Sequence, residues 1–276
     1  MPNLDHAPIM VQIDALPPLP ESVARLEALF ADGDPEPKEI VAVIEEDPAL
    51  TANILAAANS AYYGFKNGVV TVHQALMLLG SGRIRAMALE FATKQSFNAD
   101  LSPYGLTTAE FAKICKMQSE LAFHWIMGED PRKANTLIPL AFLAETGKLV
   151  IANELKRLGE AERFREDLNN MRISDAELIH VGLTTAQTDA LIFKRWKLHE
   201  SFVQITRWLD AEDKSPPQEY KDEVAMLRII RIVVNVRNPL GEIPVKRALA
   251  MAEQAGFSPK RLQNGIRWLQ EKMLEA

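Results

Sequence analysis

Metal-assisted hydrolysis needs imidazoles and carboxylates that converge on one point, so the histidines are the first residues to weigh. The chain has five: His6, His73, His124, His180 and His199. None forms an H-x-x-x-H pair, and none joins carboxylates at a spacing that would let them share a metal. His124 follows Glu120 by about one helical turn, which reads as a surface pair rather than a ligand set. Cys115, the single cysteine, lies on an apolar helix face, where a small buried residue is a better reading than a nucleophile. No Gly-x-Ser-x-Gly elbow or P-loop occurs. Gly80-Ser81-Gly82-Arg83 could cradle an anion at a helix start, but a plain interhelical turn is the stronger reading. Gln118 shares an apolar stripe with Phe111, Ile114, Leu121, Ala122 and Trp125, so it is expected to face inward. A neutral carboxamide there is a poor ligand for a divalent metal.

The elements that must position these groups are helical. Val23, Leu26 and Phe30 form one apolar stripe after Pro20, and Ile40, Val43 and Ile44 form the next. Asp47 reads as an N-cap followed by Pro48 at the first helical position, and Ser258-Pro259 repeats that device. Capping boxes are expected at Thr71 with Gln74, Thr107 with Glu110, and Ser174 with Glu177. No alternation of period two runs long enough for a sheet, so the fold class is all-α. Turns are expected at residues 32–35, 63–68, 102–105, 128–131 and 215–217. Residues 215–218, led into by the charged run 210–214, are the candidate joint between two parts.

Composition narrows the function classes. Apolar residues make up 47% and charged residues 25%, enough to exclude long disorder. A net charge of −6 gives no general attraction to phosphate backbones or anionic lipid, so nucleic acid is disfavoured as a partner. No apolar run reaches the roughly 20 residues that span a bilayer, so no membrane association is expected. Met1 to Leu16 lacks the basic start and apolar centre of a secretory signal, and one cysteine precludes an internal disulfide. A cytoplasmic location is the default expectation. Trp196, Trp208 and Trp268, with the apolar run 229–236, read mostly as core, leaving some apolar surface for an interaction.

Four short motifs occur in order over the first third of the chain. Leu16-Pro17-Pro18-Leu19-Pro20 is followed by Ile44-Glu45-Glu46-Asp47-Pro48-Ala49-Leu50, then Asn59-Ser60-Ala61-Tyr62-Tyr63. Val72-His73-Gln74-Ala75-Leu76 and Leu78-Leu79-Gly80 come next. This order and spacing resemble the HDOD family over residues 13 to about 210. The resemblance implies an HD-domain-like multi-helix bundle and three parts: a lead-in over 1–12, an HDOD domain over 13–214 and a C-terminal helical extension over 215–276. Pro17, Pro20, Asp47, Pro48, Asn59, Ser60, Tyr62 and Gly80 also have architectural readings. The prolines stiffen an extended lead-in, Asn59 and Ser60 hydrogen-bond the end of the helix begun at Pro48, and Tyr62 and Tyr63 pack a corner with wet hydroxyls.

The same resemblance marks where catalytic relatives hold metal, and here the ligand types are missing. Gln118 stands at the first ligand histidine, while Ala144 and Glu145 stand at the His-Asp pair before Gly147-Lys148. Thr185 replaces a later histidine, Asp189 a glycine, and Arg207-Trp208 the final histidine pair. Alanine cannot bind a metal, and one carboxylate does not make a stable site. Gln118, Glu145, Lys148 and Arg207 are the candidates for a polar pocket, with Gln118 expected to compensate a buried Glu145 and Arg207 either joining it or pointing to solvent, two readings of equal weight. No metal and no cofactor is expected. The implied function is a non-catalytic signal-transduction module that binds a signalling protein. One alternative is an HD-type metal-dependent phosphohydrolase with an atypical site, which needs Glu120, Glu145 and Asp189 to converge. The other is a sensor that binds a small nucleotide without cleaving it.

Overall fold

The computed structural model describes residues 7–60, 62–65, 68–97, 99–211 and 215–275, and among these it is helical with no strand. His6, Ala61, residues 1–6 of the expected lead-in and residues 212–214 of the expected joint lie outside the described residues. The first six helices are α1 (Ala7–Asp14), α2 (Glu21–Ala31), α3 (Pro37–Glu45), α4 (Pro48–Ala58), α5 (Val72–Leu79) and α6 (Ser81–Ser96). The centre is built by α7 (Thr108–Glu129), α8 (Ala134–Leu143) and α9 (Gly147–Leu158). Four shorter helices follow: α10 (Ala161–Asp167), α11 (Ile173–Val181), α12 (Thr185–Arg195) and α13 (Glu200–Thr206). The chain then continues through α14 (Lys221–Val233), α15 (Glu242–Gln254) and α16 (Pro259–Glu275).

Local chemistry sets several of these starts. Asp47 Oδ1 accepts from the Ala49 and Leu50 amides at 2.9 and 3.0 Å, while its other oxygen takes the Ser22 hydroxyl at 2.6 Å, tying α4 to α2. Thr107 and Glu110 form the full reciprocal box. Thr71 accepts from Gln74, but Gln74 caps the Val70 amide instead of returning to Thr71. The Ser174–Glu177 box does not form: α11 starts at Ile173 with no side-chain cap, and Glu177 is turned into the protein. Asn59 closes α4 by donating to Leu55 O at 2.9 Å and to Val69 O at 2.7 Å, and it accepts from the Val69 amide. The Ser60 hydroxyl has no such bond. In the proline lead-in, Pro17 O accepts the Trp196 indole N–H, docking that segment on the end of α12.

The core runs between α7 and α8, with α6 on one side and α16 and α14 covering α7. Residues 131–158 form a stretch long and apolar enough to cross a membrane by length and composition, yet 89% of that window is buried inside the bundle. That is how a central helix of a folded protein reads. Gly82 lets α6 approach α8, since a Cβ there would lie 3.1 Å from Ala134 O and Ile138 Cδ1. Ser81 bonds Asn135, and Arg83 turns inward to Glu120, so residues 80–83 are an interhelical junction.

Two tyrosines and one acidic residue depart from the sequence reading. Glu120 is buried, not paired at the surface: it takes Arg83 and the Tyr63 hydroxyl. Arg83 in turn lies 3.5 Å over the Phe123 ring. His124 stacks on Trp268 at 3.7 Å, and burial holds its pKa down at about 4. Tyr62 packs edge-on to Tyr63 and Trp268 with its hydroxyl buried and unpartnered, so neither hydroxyl is the wet group the sequence suggested. Cys115 is buried as expected.

Candidate functional site

Glu145 sits in the middle of the turn between α8 and α9, in a spot that is 3% exposed. An unpaired carboxylate there would be very costly, so its partners decide what the site is. Lys148, three residues on and in the first turn of α9, donates to Oε2 at 2.6 Å. Arg231 of α14 donates its Nε to Oε1 at 2.9 Å, and Gln118 of α7 donates its amide to the same oxygen at 3.2 Å. Gln118 also donates to Val234 O, which locks the carboxamide between α7 and the end of α14.

The network extends beyond Glu145. Lys148 Nζ reaches Thr185 Oγ1 at 2.8 Å and Glu177 at 3.7 Å. Thr185 donates hydrogen bonds from its hydroxyl and its amide to Glu177, and Tyr104 adds a third donor at 2.9 Å. Arg231 spans Glu145 and Asp210, the latter at 2.8 Å. Five elements thus supply interleaved charges, each carboxylate facing a cation. Gly147 permits the closeness: a Cβ there would lie 2.6 Å from Thr185 O, and the Gly147 amide donates to Asp189 at 2.5 Å.

The electrostatics follow from burial set against pairing. Burial pushes the Glu145 carboxyl up, but the Arg231 and Lys148 charges outweigh it and hold its pKa at about 2. Burial likewise opposes charge on Lys148 and Arg231, and their acidic neighbours reverse that and raise both. Asp210 is held below the usual range because Arg231 overcomes its burial. For Glu177 burial wins over Lys148 and Thr185, raising the carboxyl. Asp189 is raised well above its usual range by burial and by the nearby Glu145 charge. It has only the Gly147 amide as a donor, and its second oxygen is unpartnered.

The sequence-derived pocket is assembled in part. Gln118, Glu145, Lys148 and Thr185 meet, and Ala144 is buried beside them with no polar atom to offer. Arg207 does not join: it is exposed, and Arg231 occupies the role assigned to it. The reason is local. The chain leaves α13 at residue 207 in a turn whose carbonyls, at Trp208, Leu209 and Ala211, are gathered by Arg228 of α14, and this brings Asp210 to the cluster. Trp208 is half-buried against the core, and its indole N–H has no hydrogen-bond partner among the described residues. Glu120, Glu145 and Asp189 form no shared ligand set among the described residues. Arg231, Asp210 and Glu177 were missed. The signal for Arg231 was present as a lone charge inside the apolar run Ile229-Ile230-Arg231-Ile232-Val233. A cleft of about 580 Å³ opens over the cluster between α11, α14 and α15.

The sequence model of the HDOD domain matches residues 16–211. The fold is similar to three solved structures. An HDOD domain protein of unknown function from Geobacter sulfurreducens aligns with a TM-score of 0.73 at 17% identity, covering 98% of this chain and 94% of its own. A provisionally named signal transduction protein from Marinobacter aquaeolei VT8 gives 0.72 at 21% identity, covering 99% of this chain and 66% of its own. A provisionally named phosphohydrolase from Shewanella amazonensis SB2B gives 0.70 at 18% identity, covering 98% and 100%. An uncharacterized protein from Treponema pallidum (strain Nichols) is 22% identical over 253 residues, 87% of this chain. The chain spans just under half, 46%, of the length of that curated relative.

Proposed function

We propose that this chain, which belongs to the HDOD domain family, acts as a non-catalytic regulatory or scaffolding module of bacterial cytoplasmic signal transduction that binds a partner protein. The observation that carries the non-catalytic part is the donor set around Glu145. Both of its oxygens already accept from charged donors, Arg231 on one and Lys148 on the other. A divalent cation bound there would sit beside two fixed positive charges, with Ala144, Thr185 and Gln118 supplying no imidazole or second carboxylate. The residues do not fit a metal of the HD type. In place of Lewis-acid chemistry, the geometry supports a rigid charged joint that locks α7, α9, α11, α12 and α14 together.

A binding role needs apolar surface beyond the core. Val70, Met77 and Leu78, on and just before α5, are all more than half exposed. Two assays test the reading. Turnover of phosphodiester substrates in the presence of divalent metals should be absent. Capture from the native cytoplasm should recover a partner with the natural chain and lose it with Met77→Glu/Leu78→Glu. Metal-dependent turnover abolished by Glu145→Gln would overturn the reading.

A further inference from the structure

The cleft above the ion-pair cluster runs against the charge of the molecule as a whole. The chain carries a net −6, yet six basic side chains line this cleft against three acidic ones, a formal surplus of three positive charges. None of that surplus is in the buried cluster, where two cations, Lys148 and Arg231, face three acids, Glu145, Glu177 and Asp210. The surplus therefore lies on the walls. Arg172 holds Asp175 in a bidentate pair, and Arg228 donates to backbone carbonyls. Arg237 has no carboxylate partner among the described residues; one of its N–H groups goes to Met171 O at 3.2 Å, and partial burial lowers its pKa. Arg247, on α15, is exposed and makes no ion pair among the described residues.

A second observation comes from the backbone. The first turn of α11 contributes Ile173 and Ser174 to the same wall, and no side chain caps that helix. Its leading N–H groups have no side-chain acceptor, the Asp175 carboxylate of the first turn is held by Arg172, and Ser174 does not form the expected capping box. Between these polar features the lining is apolar: Ile173, Ile232, Val236 and Met251. The volume, about 580 Å³, falls in the range of sites for small molecules rather than for isolated ions.

We propose that this cleft binds a small phosphate-bearing molecule with an apolar or planar body, its anion held by Arg237, Arg247 and the start of α11, its body against Ile232, Val236 and Met251. Arginine suits this role because its planar fork matches phosphate oxygens two at a time. The inference goes beyond partner binding and does not depend on it. Such a ligand would bridge α11, α14 and α15, the helices that surround the charged joint, and so could bias how that joint is held.

Calorimetric titration of the full chain with phenyl phosphate, adenosine 5′-monophosphate and inorganic phosphate tests the site. At least one of the two bodied phosphates should bind more tightly than inorganic phosphate, with affinity that weakens as salt is raised. Arg237→Gln/Arg247→Gln should weaken it by about tenfold or more, the scale of losing charge-assisted hydrogen bonds. Arg247→Gln alone, at an exposed unpaired position, covers the case in which the double variant folds poorly, and should weaken binding several-fold. Arg132→Gln, another exposed arginine paired only to Asp130, should bind like the natural chain. Flat titrations with both bodied phosphates, equal affinity for inorganic phosphate, or unchanged binding by the arginine variants would overturn the proposal. Cleavage of a bound probe would instead contradict the non-catalytic reading while leaving the site in place.

Discussion

Replacing Lys148 by methionine keeps most of the side-chain length and removes the cation that Glu145 and Glu177 share. The lysine is 2% exposed, with its Nζ at 2.6 Å from Glu145, 2.8 Å from Thr185 and 3.7 Å from Glu177. Breaking a buried pair by removing one partner costs about 3–5 kcal/mol, because the remaining charge is left uncompensated. For a chain of this size that is a fall in Tm on the order of 10 °C. The pH dependence has a definite sign. The Glu145 pKa of about 2 lies below its unfolded value, so its ionised form contributes stability above that value and the contribution is lost as pH falls toward 2. By linkage this is on the order of 3 kcal/mol in the natural chain. Glu177 behaves oppositely: its carboxyl is already raised by burial, so its share of stability is lost as pH rises, and without Lys148 it rises further. The deficit of Lys148→Met should therefore grow between pH 5 and pH 8, and Glu177→Gln in that background should recover part of it. Differential scanning calorimetry of the four members of this cycle reads both effects. A Lys148→Met melting point within about 2 °C of the natural chain, or a deficit independent of pH, would refute the reasoning.

Other outcomes follow from the same cluster. Arg231→Met should cost about 3–5 kcal/mol by stranding Glu145 and Asp210, whereas Arg207→Ala at an exposed position should stay within about 0.5 kcal/mol, both read by urea unfolding. Gly147→Ala would place a Cβ 2.6 Å from Thr185 O, and forcing α9 from α12 should cost about 1–3 kcal/mol or more by the same assay. Asp189 is raised well above the usual carboxylate range, so in the natural chain its burial costs more stability as pH rises above about 4. Asp189→Asn keeps an acceptor for the Gly147 amide and removes that dependence. Its stability relative to the natural chain should thus improve from pH 4.5 to pH 7.5 in thermal melts.

The helical architecture was legible because its cues are local. Asp47-Pro48 and Thr107 with Glu110 each satisfy amides within one turn, and nothing distant competes for them. Ser174 with Glu177 carries the same signature and fails, since the Glu177 carboxylate is taken by Thr185, Tyr104 and Lys148 from three other elements. The inward positions of Gln118 and Glu145 were legible from the apolar stripe and from family resemblance. The identity of the compensating arginine was not. Choosing Arg231 over Arg207 required knowing how the chain turns after α13, and that turn is fixed by Arg228, a residue of α14. A charge isolated in an apolar run was the available clue to Arg231, because such a residue must find a partner inside. Glu120 was misread for the complementary reason: Tyr63 and Arg83 come to it from distant parts of the sequence.

Lys148 and Arg231 are proposed to hold the place where an HD-type site would hold metal. Equilibrium dialysis against manganese, iron and zinc, followed by elemental analysis of the natural chain and of Glu145→Gln, tests it most directly. Far less than one metal per chain is expected in both, with no change on substitution. A full equivalent of metal in the natural chain that disappears in Glu145→Gln would contradict it.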